Sequence, residues 1–163
     1  MFNIFNKNKS ISIVAPMAGS LVDITKVEDD VFSEKLVGDG IAINPTEGTV
    51  TSPVKGTVVQ VFPTGHALGI RTLEGLEILL HIGLDTVELK GEGFKVYVKT
   101  GDNVDIGDKL LDVDLDMIKE SGRFITSPII ITNMDMVKSI STKSGKVDRG
   151  KDIIMDVNIG ARH

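Results

Sequence analysis

A chain of 163 residues has room for one domain with a real core, and 41% apolar against 25% charged residues is the balance of a folded domain, not of a disordered tail. A net charge of −5, no tryptophan and no basic, aromatic-studded stripe speak against a nucleic-acid partner and suit a basic protein surface instead. The absence of cysteine excludes disulfides, thiolate catalysis and the common structural zinc sites; with no signal-peptide core and no run near the ~20 apolar residues of a membrane span, the chain is placed in the cytoplasm.

Residues 1–10, MFNIFNKNKS, read as a flexible tail, with a short lipid-seeking helix built on Phe2, Ile4 and Phe5 as the alternative. Residues 11–24, ISIVAPMAGSLVDI, read as strand, Pro16-x-x-Gly19 turn and strand. After the acidic run Glu28-Asp29-Asp30 comes VFSEKLVGDGIAINP, with a turn expected at Asp39-Gly40. SPVKGTVVQV at 52–61 repeats the first pattern, Pro53 and Gly56 matching Pro16 and Gly19. Further on, GDNVDIGDKLLD at 101–112 is echoed by GKVDRGKDIIM, where Val147 and Gly150 match Val104 and Gly107. Two kinds of hairpin, each used twice, suggest a duplicated all-β unit closing around one core. Residues 116–120 and 134–139 are expected as short helical connectors. The domain is taken to span residues 11–163, and the terminal His163 is given no role.

The other two histidines fall in the clearest hairpin signal. Strand-forming runs at 66–72 and 75–82 flank Leu73-Glu74, and a two-residue connection there pairs His66 with His81 on one face of neighbouring strands, Cβ atoms about 4.5–5.5 Å apart. A three-residue loop would put them on opposite faces unless a bulge intervened. Two adjacent imidazoles can bind a metal, pass protons, or act as nucleophile and holder of a transferred group.

The Pro-x-x-Gly and G-D-x-V-x-x-G-D patterns resemble those of barrel-sandwich proteins. The Met-Lys-Met tip of a biotin carrier is missing, and His81 is followed by Ile82-Gly83, not by the His-x-His of a lysostaphin-type zinc peptidase. From about Ile11 to Val157, through APMAGSLVDI, VFSEKLVGDGIAINP, TGHALGI and LLHIGLDTVELKGEGF, the chain closely resembles the glucose-type IIA component of the bacterial phosphoenolpyruvate-dependent sugar phosphotransferase system. The resemblance implies an all-β barrel-sandwich hybrid of antiparallel strands with one or two short helical turns. It implies a phosphotransferase component in which His81 is phosphorylated, His66 is its partner and Thr64 orients His66. Its partners would be a histidine-containing phosphocarrier protein and the IIB domain of a sugar permease. It also assigns Val31, Phe32, Phe62 and Leu79 to an apolar docking surface, and Asp29 and Asp85 to the attraction of a basic partner. No cofactor is required on this reading; zinc is possible, held by His66 and His81 with a carboxylate from a partner completing the site. Rival readings are a regulatory binding protein controlled by phosphorylation and a zinc-binding module. The Met start favours a free subunit over a piece of a longer permease.

Overall fold

Runs rich in Val, Ile and Thr, cut at short intervals by Gly, Pro and Asp, cannot sustain long helices and pair as strands instead. A computed structural model of the chain describes residues 9–160. In chain order its strands are β1 (Lys9–Val14), β2 (Gly19–Asp23), β3 (Asp39–Pro45), β4 (Thr49–Thr51), β5 (Gly56–Val61), β6 (Ala67–Thr72) and β7 (Glu77–His81). There follow β8 (Phe94–Val96), β9 (Asn103–Val104), β10 (Lys109–Val113), β11 (Ser127–Ile131), β12 (Val137–Thr142), β13 (Lys146–Val147) and β14 (Ile153–Ile159). Two short helices, α1 (Asp30–Ser33) and α2 (Leu115–Glu120), and three 3-10 turns complete the described residues. No helix among them is long and apolar enough to cross a membrane.

The strands form an eight-stranded sheet in the order β13-β2-β3-β11-β7-β6-β5-β9 and two three-stranded sheets, β1-β14-β12 and β4-β10-β8. The pairings with a register are antiparallel, as expected for this fold class. The repeats are real, but they are not hairpins. Each Pro-x-x-Gly corner carries the chain from one sheet to another: β1 pairs with β14 while β2 pairs with β3 and β13. In the same way β4 pairs with β10, and β5 with β6 and β9. The hydrogen bonds repeat with the sequence. Val14 N–H donates to the Pro53 carbonyl at 3.0 Å, and Thr51 N–H donates to the Pro16 carbonyl at 2.9 Å. Gly150 N–H bonds the Ala15 carbonyl and Gly107 N–H the Ser52 carbonyl, at 2.9 and 3.0 Å. The duplicated units thus grip one another corner to corner.

Alternation along the eight-stranded sheet separates two apolar layers. Ile41, Ile43, Leu68, Ile70, Ile78, Leu80, Ile129 and Ile131 face the main core. From the opposite face Ala42 and Ile130, with Val22 and Leu79, meet Ile24, Val27, Phe32 and Leu84 in a second cluster. Full burial of each large aliphatic side chain contributes about 1.5–3 kcal/mol. The doubly apolar run LEILLHI is therefore covered on both sides.

Several expectations change. Lys9 and Ser10 belong to β1, so the tail ends earlier than residue 10; the remainder of the tail and His163 lie outside the described residues. Asp39-Gly40 is not a turn but the start of β3. Gly40 is there because β11 lies close against it: a Cβ would come within 2.1 Å of the Ile129 carbonyl oxygen. The second helical connector is a 3-10 turn over Met134–Met136 that gives way at once to β12.

The histidine hairpin also differs in register. Gly75 N–H bonds the Thr72 carbonyl and Thr72 N–H the Leu76 carbonyl, both at 2.9 Å, which makes a three-residue loop with Gly75 at φ 100°. A two-residue loop of the favoured hairpin type wants positive φ at its central positions, and Leu73-Glu74 supplies no residue that accepts it cheaply. Ala67, not His66, is therefore opposite His81. The exposed pair Arg71 and Glu77 face each other in this register and form an ion pair at 2.9 Å.

Candidate active site

With Ala67 opposite His81, strict alternation would turn His66 to the far face of the sheet. His66 escapes because it precedes the first residue of β6. A turn over residues 62–65, closed by Gly65 N–H to the Phe62 carbonyl at 2.7 Å, delivers it to the end of the strand. Its carbonyl accepts Ile82 N–H at 2.7 Å, and its ring stands edge-on to that of His81, centroids 5.0 Å apart and planes at 80°. The two imidazoles meet as expected, by a different route from the one the turn predicted.

Each ring is fixed from behind. Thr64 Oγ1 lies 2.5 Å from His66 Nδ1, and the Phe62 ring meets His66 edge to face at 5.4 Å. His81 Nδ1 lies 2.8 Å from the Gly83 carbonyl oxygen. A carbonyl only accepts, so Nδ1 carries the proton and the lone pair of neutral His81 resides on Nε2. Phe32 packs on the His81 ring at 5.0 Å and is itself only 5% exposed. It is the floor of the site and the link to the second apolar cluster, not part of an outer surface.

Asp29 has a structural task beside any electrostatic one: its carboxylate accepts Val31 N–H at 3.0 Å and caps the short helix that carries Phe32. Asp85 sits exposed in a left-handed conformation, φ 58°, with its carbonyl held by Arg123 Nε at 3.0 Å. Both rings are kept neutral. Burial, and then the neighbouring His81, hold the His66 pKa down at about 4. Burial also lowers that of His81, opposed by the Gly83 carbonyl and the charges of Asp29 and Asp85.

Of the apolar residues proposed for docking, Val31 is 42% exposed, whereas Phe62 and Leu79 are half-buried. Val87 and Phe124, 50% and 49% exposed, adjoin the same loop: Val87 follows Asp85 closely, and the Phe124 carbonyl accepts Leu84 N–H at 3.0 Å. Phe124 carries no signal of its own in the sequence, where it is one aromatic residue after a helical connector. Leu68 and Ile82 are core. Among the described residues no three His, Cys, Asp or Glu side chains gather into a metal-holding group.

An all-β scaffold that presents two neutral, oriented imidazoles at a strand end, ringed by acidic and apolar residues, defines a protein built for chemistry at histidine. Residues 11–137 match the family described as phosphoenolpyruvate-dependent sugar phosphotransferase system, EIIA 1, and the chain belongs to that family. It is 48% identical over 153 residues to a glucose-specific EIIA component of the phosphotransferase system from Staphylococcus epidermidis, covering 93% of this chain and 92% of the relative. The corresponding Bacillus cereus protein is 44% identical over 160 residues, 98% of this chain and 97% of the relative. Among solved structures, the glucose permease IIA from Mycoplasma capricolum superposes with a TM-score of 0.86 at 44% identity, covering 91% of this chain and 96% of that one.

Proposed function

We propose that this chain is a cytoplasmic phosphocarrier in sugar uptake, which takes a phosphoryl group on His81 from a histidine-containing phosphocarrier protein and hands it to a cysteine of a IIB domain. The observation that carries the reading is the His81–Gly83 bond, which leaves the Nε2 lone pair free to attack phosphorus. As the new N–P bond forms at Nε2, the bond to the donor's ring nitrogen breaks, and the donor keeps that electron pair. In the second transfer the incoming thiolate sulfur takes the phosphoryl group and Nε2 recovers its lone pair. Such a transfer passes through a loose transition state and depends on in-line positioning and charge stabilisation.

His66 supplies the charge stabilisation. With the Thr64 hydroxyl donating to Nδ1, the other ring nitrogen carries its proton outward as a donor to the phosphoryl oxygens. Exposed Asp85 and Val31 suit a partner surface of basic and apolar residues. With the His66 proton moved to Nδ1 and the Thr64 hydroxyl accepting it, the two imidazoles would instead offer two nitrogen ligands to a zinc ion; a closed tetrahedral site needs more, which a partner carboxylate would supply. Incubation with phosphoenolpyruvate and the two general phosphotransferase proteins, followed by intact mass, tests the proposal. One added phosphoryl group is expected, and none in His81→Ala; phosphorylation of His81→Ala in unchanged yield overturns the assignment.

A further inference from the structure

The loop that follows β7 is gripped from one side by residues 123–127, which lead from α2 into the first residue of β11. Gly83 N–H donates to Ser127 Oγ at 3.1 Å, Leu84 N–H donates to the Phe124 carbonyl at 3.0 Å, and Arg123 Nε donates to the Asp85 carbonyl at 3.0 Å. Ser127 is itself oriented, because its hydroxyl donates to the Ile125 carbonyl at 2.8 Å and so turns its lone pairs toward Gly83. The side chain is 1% exposed. Three successive residues of the loop are thus held by one short stretch of chain.

The middle of this bracket touches the reactive ring. The peptide joining Gly83 to Leu84 accepts His81 Nδ1–H on its oxygen and donates its N–H to Phe124, while the preceding peptide is pinned by Ser127. Hydrogen bonds arranged in series polarise one another. A loop this tightly held presents the Gly83 oxygen at one place. A free neutral imidazole side chain prefers its proton on Nε2, the wrong nitrogen for attack, so the tautomer of His81 depends on the Gly83 oxygen being there.

We infer that Ser127 is a positioning residue for His81, acting through the Gly83 peptide to hold the ring in its Nδ1–H form. The inference rests on His81 being the phosphoryl acceptor, as proposed above. It adds that the acceptor's reactivity is set through Gly83 by a residue 44 positions beyond that glycine in sequence, on a different strand. Ser127 touches no reacting atom, so its removal should alter the state of the ring without altering partner docking.

The test is 15N–1H NMR of the histidine rings, read in the full chain at a pH where His81 is neutral, together with single-turnover phosphorylation by the phosphocarrier protein. Wild-type His81 is expected as the Nδ1–H tautomer. In Ser127→Ala a substantial share of His81 moves to the Nε2–H form, and phosphorylation at saturating carrier slows about tenfold or more, the scale of loss that follows removal of the outer hydrogen-bond partner of a metal-bound histidine. The carrier concentration giving half-maximal rate stays within twofold, and Ser127→Thr, which keeps the hydroxyl, restores both tautomer and rate. The Nε2–H form in the wild type overturns the inference without any variant. So does an unchanged tautomer in Ser127→Ala, or a changed tautomer with an unchanged rate. Phosphate arriving on a residue other than His81 in the wild type would refute the functional proposal while leaving the tautomer result to be read by itself.

Discussion

Replacing His66 by glutamine separates the roles of the two histidines. The ring centroids are 5.0 Å apart and perpendicular, so a phosphoryl group on His81 Nε2 comes within reach of the His66 N–H. A hydrogen bond to a charged group contributes about 1.5–3 kcal/mol, or roughly 10- to 150-fold in rate if it is realised fully in the transition state. Glutamine keeps an N–H donor but loses the Phe62 contact and sits differently against Thr64. The lower end of the range is therefore expected. His66→Gln should still accept phosphate from the carrier protein, yet pass it to a IIB cysteine about tenfold more slowly, equal to ~1.4 kcal/mol. Quench-flow transfer from each phosphorylated protein measures this. Delivery at the wild-type rate would show that the second ring takes no part.

Three further outcomes are expected. Because the His66 pKa falls from 6.5 to about 4 on folding, the unfolded chain takes up that proton first; stability is full above about pH 6.5 and declines as pH drops toward 4, by ~3 kcal/mol for this nearly inaccessible ring. Urea titrations at pH 7 and pH 4 should show the His66→Gln protein losing that much less than the wild type over the interval. Gly40→Ala drives a methyl group against the Ile129 carbonyl and should lower stability by about 1–3 kcal/mol in a thermal melt, with β3 and β11 losing amide protection first. Asp85→Asn should slow association with the phosphocarrier protein at low salt and matter less as ionic strength rises; equal stopped-flow rates at low salt would remove that role from Asp85.

The all-β class, the duplication and the meeting of His66 with His81 were all legible in the chain, because alternating runs, repeated corners and family blocks are local signals. The register was not, although the means to find it were present. Gly75 is the one loop residue suited to φ 100°, and Arg71 opposite Glu77 is worth about 0.2–1 kcal/mol only when the loop has three residues. Together those two residues favour the observed pairing. Gly40 shows the opposite difficulty: Asp-Gly is a strong turn signal, and only the position of β11, far along the chain, tells that the glycine serves a close contact instead. The bracket at Ser127 has no local signature, since a serine beside a proline at a strand start reads as ordinary loop chemistry. The inward position of Phe32 is not legible either, because it depends on Asp29 capping the short helix that carries it.

The pairing of β1 with β14 sets Lys9 across from Ile159, so the first and last described strands are neighbours in one sheet. A ribosome makes the first of them long before the last, and until then β1 lacks the partner its corner was shaped to support. The sheet that carries His81 is under a similar delay, because β11 lies between β3 and β7 and is synthesised after both. A nascent chain halted at residue 120 would hold both histidines but lack the strand that joins their hairpin to the rest of the sheet. Contacts so distant in sequence make for slow folding. Competence to receive phosphate should therefore arrive late and all at once, after the chain has left the exit tunnel.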